Sequence, residues 1–300
     1  MQTPPSSAGL PVALIQTRTP APAVAGLAHV EPLIRQAAAE GAKFILTPEG
    51  CNLLEQRRDR RGAAVTAEGE DACVRGLRHL AAELGVWILI GSAIVESGQA
   101  GDSRAANRSL LIDANGGIVG RYDKLHVFDV DLPNGETYRE SATIRPGDGA
   151  SVADTPWGRL GMAVCYDIRF PHLFRQLAKA GASMISVPAA FTVPTGEAHW
   201  ETLLRARAIE TGAFVLAPAQ GGTHEDGRKT WGRSTIVGPW GEIVARLDHD
   251  EPGVLHAVID LRAVESARAS VPALRHDRDF APPDSHGPGS NGPGSNGAGA

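Results

Sequence analysis

The sequence is short of cysteine, of long apolar runs and of positive charge. Its three cysteines, Cys51, Cys73 and Cys165, are too few and odd in number for a disulfide framework. That scarcity points to a reducing compartment, and the cytoplasm is the expected location. No stretch approaches the unbroken apolar length of a transmembrane helix, so no membrane partner is expected. The N-terminal MQTPPSSAGLP lacks both the basic and the apolar region of a secretory signal. Lysine and arginine number 29 against 34 acidic residues, a net charge of -5. This balance argues against nucleic acid as a partner. One basic cluster stands out, QRRDRR at 56–61, but Asp59 interrupts it and Glu55, Glu68 and Glu70 flank it. It reads as a solvated loop.

What is present is an apolar fraction of 42%, enough for a sizeable core. Residues 1–9 read as a flexible leader. At the other end, APPDSHGPGSNGPGSNGAGA (281–300) offers almost no apolar surface to offset ordering entropy, and disorder is predicted. Between these ends strands and helices alternate. VALIQT (12–17), KFILTPE (43–49) and VWILIGSAIVE (86–96) read as buried strands. Helices at 27–42 and 70–85 separate them, closing on Gly41 and Gly85. Asn115-Gly116-Gly117 and Pro156-Trp157-Gly158 mark hairpins. Then come a helix from Pro171 to about Gly181, a strand at 183–191, a helix at 199–212 and a strand at 213–220. Hairpins mixed with β-α-β units predict an α/β fold whose sheets are not purely parallel.

Within GMAVCYDIRFP (161–171), Cys165 stands where a buried strand gives way to a helix. Strand ends face the crevices of α/β enzymes. The free N–H groups of a following helix favour a thiolate and can hold an oxyanion. The competing reading is an inert core cysteine, since free cysteines are among the most buried residues. A nucleophile needs a base, and none of the ten histidines lies in a convincing motif or in metal-ligand spacing. His126 in KLH could orient a neighbour, and His199 in GEAHW could cap a helix or form a pocket wall. Glu49, ending the apolar LTPEG strand, is a candidate base if burial raises its pKa, or else a helix cap. Lys124 in GRYDKLHVF likewise follows a strand, where an isolated lysine is ordinarily solvated.

A glutamate, a lysine and a cysteine, each at a strand end and in that order, resemble the nitrilase superfamily of carbon–nitrogen hydrolases. The matching segments are LTPEG, RYDKLHVFDVDLPNGETYRES, GRLGMAVCYDIRFPHLFRQLAKAGA, PTGEAHWETLLRARAIETGAFVLAPAQ and GRSTIVGPWGEI. They span about residues 10–280, nearest to the Nit branch of omega-amidases and deaminated-glutathione amidases. The resemblance implies a four-layer αββα sandwich and a catalytic triad of Glu49, Lys124 and Cys165. It also implies an accessory glutamate between the Lys and the Cys. Glu140 is chosen over Glu136 because it precedes a serine. The implied reaction hydrolyses a small carboxylate-bearing amide to an acid and ammonia through a cysteine thioester. Lys124 and the Tyr166 backbone N–H would hold the oxyanion, and no metal or organic cofactor is required. Arg169 would grip the substrate carboxylate, assisted by Thr195, and His199 would also bind the substrate. The alternative for Arg169 is a structural ion pair with Asp167. The chain has TGEAHW where the branch commonly has TGPAHW, so Glu197 adds negative charge beside the expected pocket. A homodimer or higher homo-oligomer is implied. The same triad would also serve a nitrilase or an N-carbamoyl amidohydrolase, and a catalytically silent scaffold or binding protein is the alternative of another class. Cys51 and Asn52 lie near the expected pocket mouth, with Cys51 read as a packing residue.

Overall fold

A computed structural model describes residues 9–280, apart from 22, 56, 133 and 134. The leader through residue 8 and the tail at 281–300 lie outside the described residues. The first half of the fold comprises β1 (Leu10–Gln16), α1 (Ala23–Ala39), β2 (Phe44–Leu46), α2 (Arg58–Ala64), α3 (Ala72–Leu84), β3 (Trp87–Glu96), β4 (Ala105–Ile112), β5 (Ile118–Asp123), β6 (Asp129–Asp131) and β7 (Thr137–Arg139). The second comprises β8 (Ser151–Thr155), β9 (Gly158–Met162), α4 (Pro171–Lys179), β10 (Ala182–Ser186), α5 (Val193–Thr211), β11 (Phe214–Ala217), β12 (Gly221–Thr223), β13 (Lys229–Trp231), β14 (Thr235–Val237), β15 (Ile243–Arg246), β16 (Gly253–Ile259) and α6 (Arg262–Ser270).

Two six-stranded sheets carry the molecule, in the orders β16-β1-β2-β3-β4-β5 and β15-β14-β11-β10-β9-β8. Each has three parallel strands at its centre and antiparallel strands at its flanks. Alternation along the strands sorts side chains into layers. Val12, Leu14, Phe44, Leu46 and Leu89 face the second sheet and meet Leu160, Met184 and Leu216 in one core. Their neighbours Ala13, Ile15, Ile45, Ile88 and Ile90 face outward onto Val30 and Ile34 of α1 and Leu77 of α3. Helices α4 and α5 cover the outer face of the second sheet. The result is the expected four-layer αββα sandwich.

Helix limits follow local chemistry. Asp71 caps α3 by accepting the Val74 N–H at 2.9 Å, and Gly85 ends it in a left-handed conformation, φ 63°. Helix α5 begins at Val193, six residues before the expected His199. Its Pro194 sits in the first turn, where a missing N–H costs nothing. Thr195 therefore lies on a helix. The strands expected through Glu49 and Phe191 stop at Leu46 and Ser186. Pro48 and Pro188 cannot continue a ladder, and the chain leaves each sheet toward the same place.

Gly91 in β3 shows how closely these segments pass. A Cβ there would lie 1.7 Å from the Thr47 carbonyl oxygen, two residues before Glu49. Gly91→Ala is expected to lower unfolding stability by about 3 kcal/mol or more, the upper range for overpacking. Urea denaturation measures it, and a loss below about 1 kcal/mol would mean that the Thr47 backbone yields freely.

Candidate active site

Three segments leaving strand ends converge on a cavity of about 270 Å³. Glu49 lies three residues beyond β2, Lys124 directly follows β5, and Cys165 lies three residues beyond β9. All three are buried and all line the cavity. Lys124 Nζ sits 2.8 Å from Glu49 Oε1 and 2.8 Å from Glu140 Oε2. Asn107 Nδ2 donates to the same two carboxylates, at 2.9 Å to Glu49 and 3.2 Å to Glu140. Glu49 Oε2 accepts the Ala190 backbone N–H at 2.9 Å, and Glu140 Oε2 accepts that of Phe128 at 2.6 Å. The Gln220 side chain donates to the Glu49 carbonyl at 2.9 Å, which holds the backbone of the turn. Glu136 stands apart at the start of the β6–β7 hairpin's second strand, where Tyr138 Oη donates to it at 2.9 Å. Of the two candidate glutamates, Glu140 is the one on Lys124.

Electrostatics assign a protonation state. Burial alone would raise Glu49, but the Lys124 charge and hydrogen bonds from Lys124 and Cys165 hold it below the ordinary carboxylate value. This corrects the expectation of a carboxyl raised by burial. Lys124 is opposed by burial too, yet Glu140 and then Glu49 keep its ammonium charged well above the ordinary lysine value. Burial and then the Glu49 carboxylate push the Cys165 thiol well up, outweighing the opposing pull of Lys124. At neutral pH the set is a thiol hydrogen-bonded to a carboxylate that is itself paired with an ammonium.

The backbone at Cys165 explains how the sulfur reaches the cavity. Its φ is +50°, the left-handed region that non-glycine residues seldom occupy. A five-residue 3₁₀ turn, Cys165–Arg169, intervenes before α4 begins at Pro171. The helix expected from Pro171 begins there, and this short turn separates it from the cysteine. Fully buried Asp167 fastens this turn. Its Oδ2 accepts Tyr122 Oη at 2.7 Å and the Val164 N–H at 2.8 Å. Its Oδ1 accepts the His126 N–H at 3.0 Å and lies 2.7 Å from His126 Nδ1. The cysteine turn and the Lys124 strand end are thus locked together.

Asp167 is consequently not the partner of Arg169. The Arg169 guanidinium stacks over Tyr166 and Phe191, at 5.9 and 5.6 Å from their ring centroids. It lies 3.3 Å from His199 Nδ1 and forms no ion pair among the described residues. Arg169, Tyr166 and Thr195 line the cavity. His199 does not: it is exposed and braces Arg169 from outside, which corrects its expected place as a pocket wall. Glu197 is also exposed and does not line the cavity.

Sequence reasoning missed Asn107, Asp167, Arg61 and Arg228. A polar residue at a buried position of AANRSLLI was the one visible signal for Asn107. The sequence of the 56–61 cluster predicts a solvated loop, yet Arg58–Ala64 is helical and Arg61 lines the cavity. Its Nε donates to the Glu55 carbonyl at 2.7 Å and its Nη1 to Thr143 Oγ1 at 2.8 Å, which draws it inward. Cys51 packs in the outer core with Cys73.

Comparison with known proteins agrees with this geometry. The carbon-nitrogen hydrolase family matches residues 11–269. A protein of Yersinia enterocolitica named deaminated glutathione amidase is 44% identical over 253 residues, covering 84% of this chain and 87% of its own. The crystal structure of the Caenorhabditis elegans NitFhit protein superposes with a TM-score of 0.82 at 33% identity, over 90% of this chain and 65% of that longer one. An amidase from Nesterenkonia sp. AN1 matches with a TM-score of 0.73 at 27% identity, over 89% of this chain and 97% of its own. Its glutamate-to-glutamine variant carries the acetamide moiety of fluoroacetamide covalently on the active-site cysteine. The chain belongs to the carbon–nitrogen hydrolase family, within the nitrilase superfamily.

Proposed function

We propose that this protein is an amidase that hydrolyses a small carboxylate-bearing amide through a thioester on Cys165. One observation carries the reading: a thiol, a carboxylate and an ammonium, contributed by three distant segments, meet in one cavity and hydrogen-bond in series.

Glu49 takes the thiol proton as sulfur attacks the amide carbon. Charge develops on the carbonyl oxygen. An ammonium has three N–H donors. Two are directed to Glu49 and Glu140, which leaves the third of Lys124 for the oxyanion. The Tyr166 N–H, at the open start of the 3₁₀ turn, is the second donor. Each such donor is worth about 3 kcal/mol of barrier. Glu49 then passes its proton to the departing nitrogen, the C–N bond breaks, and the acyl group remains on sulfur. Water enters and Glu49 takes its proton. Attack on the thioester carbon releases the acid, and the proton returns to Cys165. Glu140 and Asn107 position Lys124 and Glu49. Arg169, free of any carboxylate among the described residues, takes the acyl-side carboxylate with Thr195 beside it. The relatives named deaminated glutathione amidase support an α-keto acid as that acyl part.

The three cysteines are free, which suits a reducing cytoplasm, and no helix among the described residues is long and apolar enough to cross a membrane. Exposed Ile209, Trp240 and Val271 line one surface cavity, and this apolar exposure suits association with a second copy of the chain.

Cys165→Ala is expected to abolish amine or ammonia release across a panel containing α-ketoglutaramate, deaminated glutathione, neutral aliphatic amides, N-carbamoyl compounds and nitriles. Residual turnover by this variant, or wild-type turnover confined to nitriles, would remove the amidase reading. Arg169→Lys should raise KM about tenfold or more for carboxylate-bearing amides and far less for neutral ones, because a point charge cannot replace the planar fork. Equal effects on both classes would show that Arg169 does not touch the carboxylate. The pH profile follows from the single proton shared by Glu49 and Cys165. Acid adds a second proton at Glu49, so kcat/KM should fall only below 4.5, its ordinary value. Alkali removes the proton from Cys165, so the other limb should lie above 9.0. An acid limb near neutrality would contradict the lowered carboxyl.

A further inference from the structure

A carboxylate offers about four lone-pair positions to donors, two on each oxygen. At Glu49 three of them face fixed groups. Oε1 takes Lys124 Nζ at 2.8 Å and Asn107 Nδ2 at 2.9 Å, and Oε2 takes the Ala190 N–H at 2.9 Å. The position left over is on Oε2. The Cys165 thiol hydrogen-bonds to this carboxylate, and the Ala190 N–H also contacts the sulfur, which puts the thiol on that same oxygen. At Glu140 no position is left over. Lys124 Nζ faces both of its oxygens, at 3.1 and 2.8 Å. Asn107 Nδ2 donates to Oε1 at 3.2 Å, and the Phe128 N–H donates to Oε2 at 2.6 Å. The two acids on Lys124 thus differ in one respect: Glu49 can accept a proton from sulfur, and Glu140 is closed to it.

Asn107 closes one position on each acid. It lies in β4, is 2% exposed, and its own carbonyl accepts the Lys124 backbone N–H at 2.9 Å. Ionised carboxylates only accept, so the amide nitrogen of Asn107 must be the end that faces them. Its Oδ1 is buried and has no hydrogen-bond partner among the described residues. A buried acceptor left unpaired costs stability, so the fold alone gives no reason for an amide at this position. Its donors do, since Nδ2 reaches both carboxylates. We propose that Asn107 is a positioning residue that confines the travelling proton to Oε2 of Glu49. The S–H bond breaks, an O–H bond forms at Oε2, and the proton passes from there to the departing nitrogen. The proton of the attacking water takes the same oxygen on its way back to sulfur. Without Asn107 a lone pair opens on Oε1 of each acid, on the oxygen that does not meet the thiol, and a proton lodged there serves neither step. This inference rests on the amidase reading.

Two variants test it, with α-ketoglutaramate and deaminated glutathione as substrates. Asn107→Leu is close in shape and has no donor; Asn107→Asp keeps the shape and replaces the donors by a third acid. Asn107→Leu should lower kcat about tenfold or more and leave KM within about threefold of wild type, because the loss falls on proton transfer and not on binding. Its acid limb should rise by about one pH unit, since Glu49 loses a donor to its charged form. Lys124, Cys165 and Arg228 still act on Glu49 in that variant, with Glu140 beyond Lys124. Asn107→Asp should raise the limb further, through its added negative charge. A partly misfolded preparation lowers kcat by reducing the active fraction, but it moves neither KM nor the pH limb. An acid limb unmoved in both variants, or a loss expressed in KM, would overturn the role of Asn107 alone. Failure of wild type to release ammonia or amine from any amide of the panel would remove the amidase reading and this inference with it.

Discussion

Two carboxylates share one ammonium at the centre of this protein. Glu49 and Glu140 both contact Lys124 Nζ, with Lys124 and Glu49 buried and Glu140 half-buried. Burying each ion costs several kcal/mol, and attraction offsets that cost only when geometry is good and the remaining lone pairs are filled. Here they are filled. Asn107 spans the two carboxylates, and the N–H groups of Ala190 and Phe128 take one oxygen of each. Removing Lys124 would leave two carboxylates without their counterion, whereas removing either carboxylate leaves Lys124 paired with the other. The cluster also sets the state of the sulfur, because the carboxylate that Lys124 keeps ionised is the acceptor of the thiol proton.

The sandwich exists, in functional terms, to bring those groups to one point. Lys124 and Glu49 come from the ends of strands in the first sheet, and Cys165 from the second. The inner core joins the sheets along their facing surfaces, and Asp167 adds a polar tie at the edge of the site. It links the cysteine turn to Tyr122 and His126, on either side of Lys124. A sheet-to-sheet slip of even an ångström would misalign sulfur, carboxylate and ammonium together. The left-handed φ at Cys165 is held by this same tie and by the bond from its N–H to the Pro188 carbonyl at 2.9 Å.

Selectivity is distributed differently from reactivity. The reacting groups are buried and paired with one another, whereas the arginines of the cavity wall are held by rings, carbonyls and a hydroxyl. Arg169 is supported by two aromatic faces and His199, which orient a guanidinium without neutralising it. Arg61 and Arg228 are supported by neutral oxygens in the same way. Positive charge on the walls complements anions.

The strand ends that deliver Glu49, Lys124 and Cys165 were legible because continuous apolar runs and their punctuation are local properties. So were the alternation of strands with helices and the helix stops at glycine. The segments resembling a known family narrowed the accessory acid to Glu140, but nothing in GETYRES itself distinguishes Glu136 from it. Only the fold shows that one meets Lys124 while the other stays on a hairpin. Arg61 lay hidden in a cluster that composition assigns to solvent, and Arg228 in an unmarked loop. Their place on the cavity wall is a fact of packing between segments over a hundred residues apart. Protonation was out of reach for the same reason. Whether burial raises a carboxyl or a neighbouring ammonium lowers it depends on distances that local sequence does not contain. The sequence alone determined which side chains end which strands; the tertiary structure decided which of them meet, because Coulomb and hydrogen-bond energies act over a few ångströms of space and not along the chain.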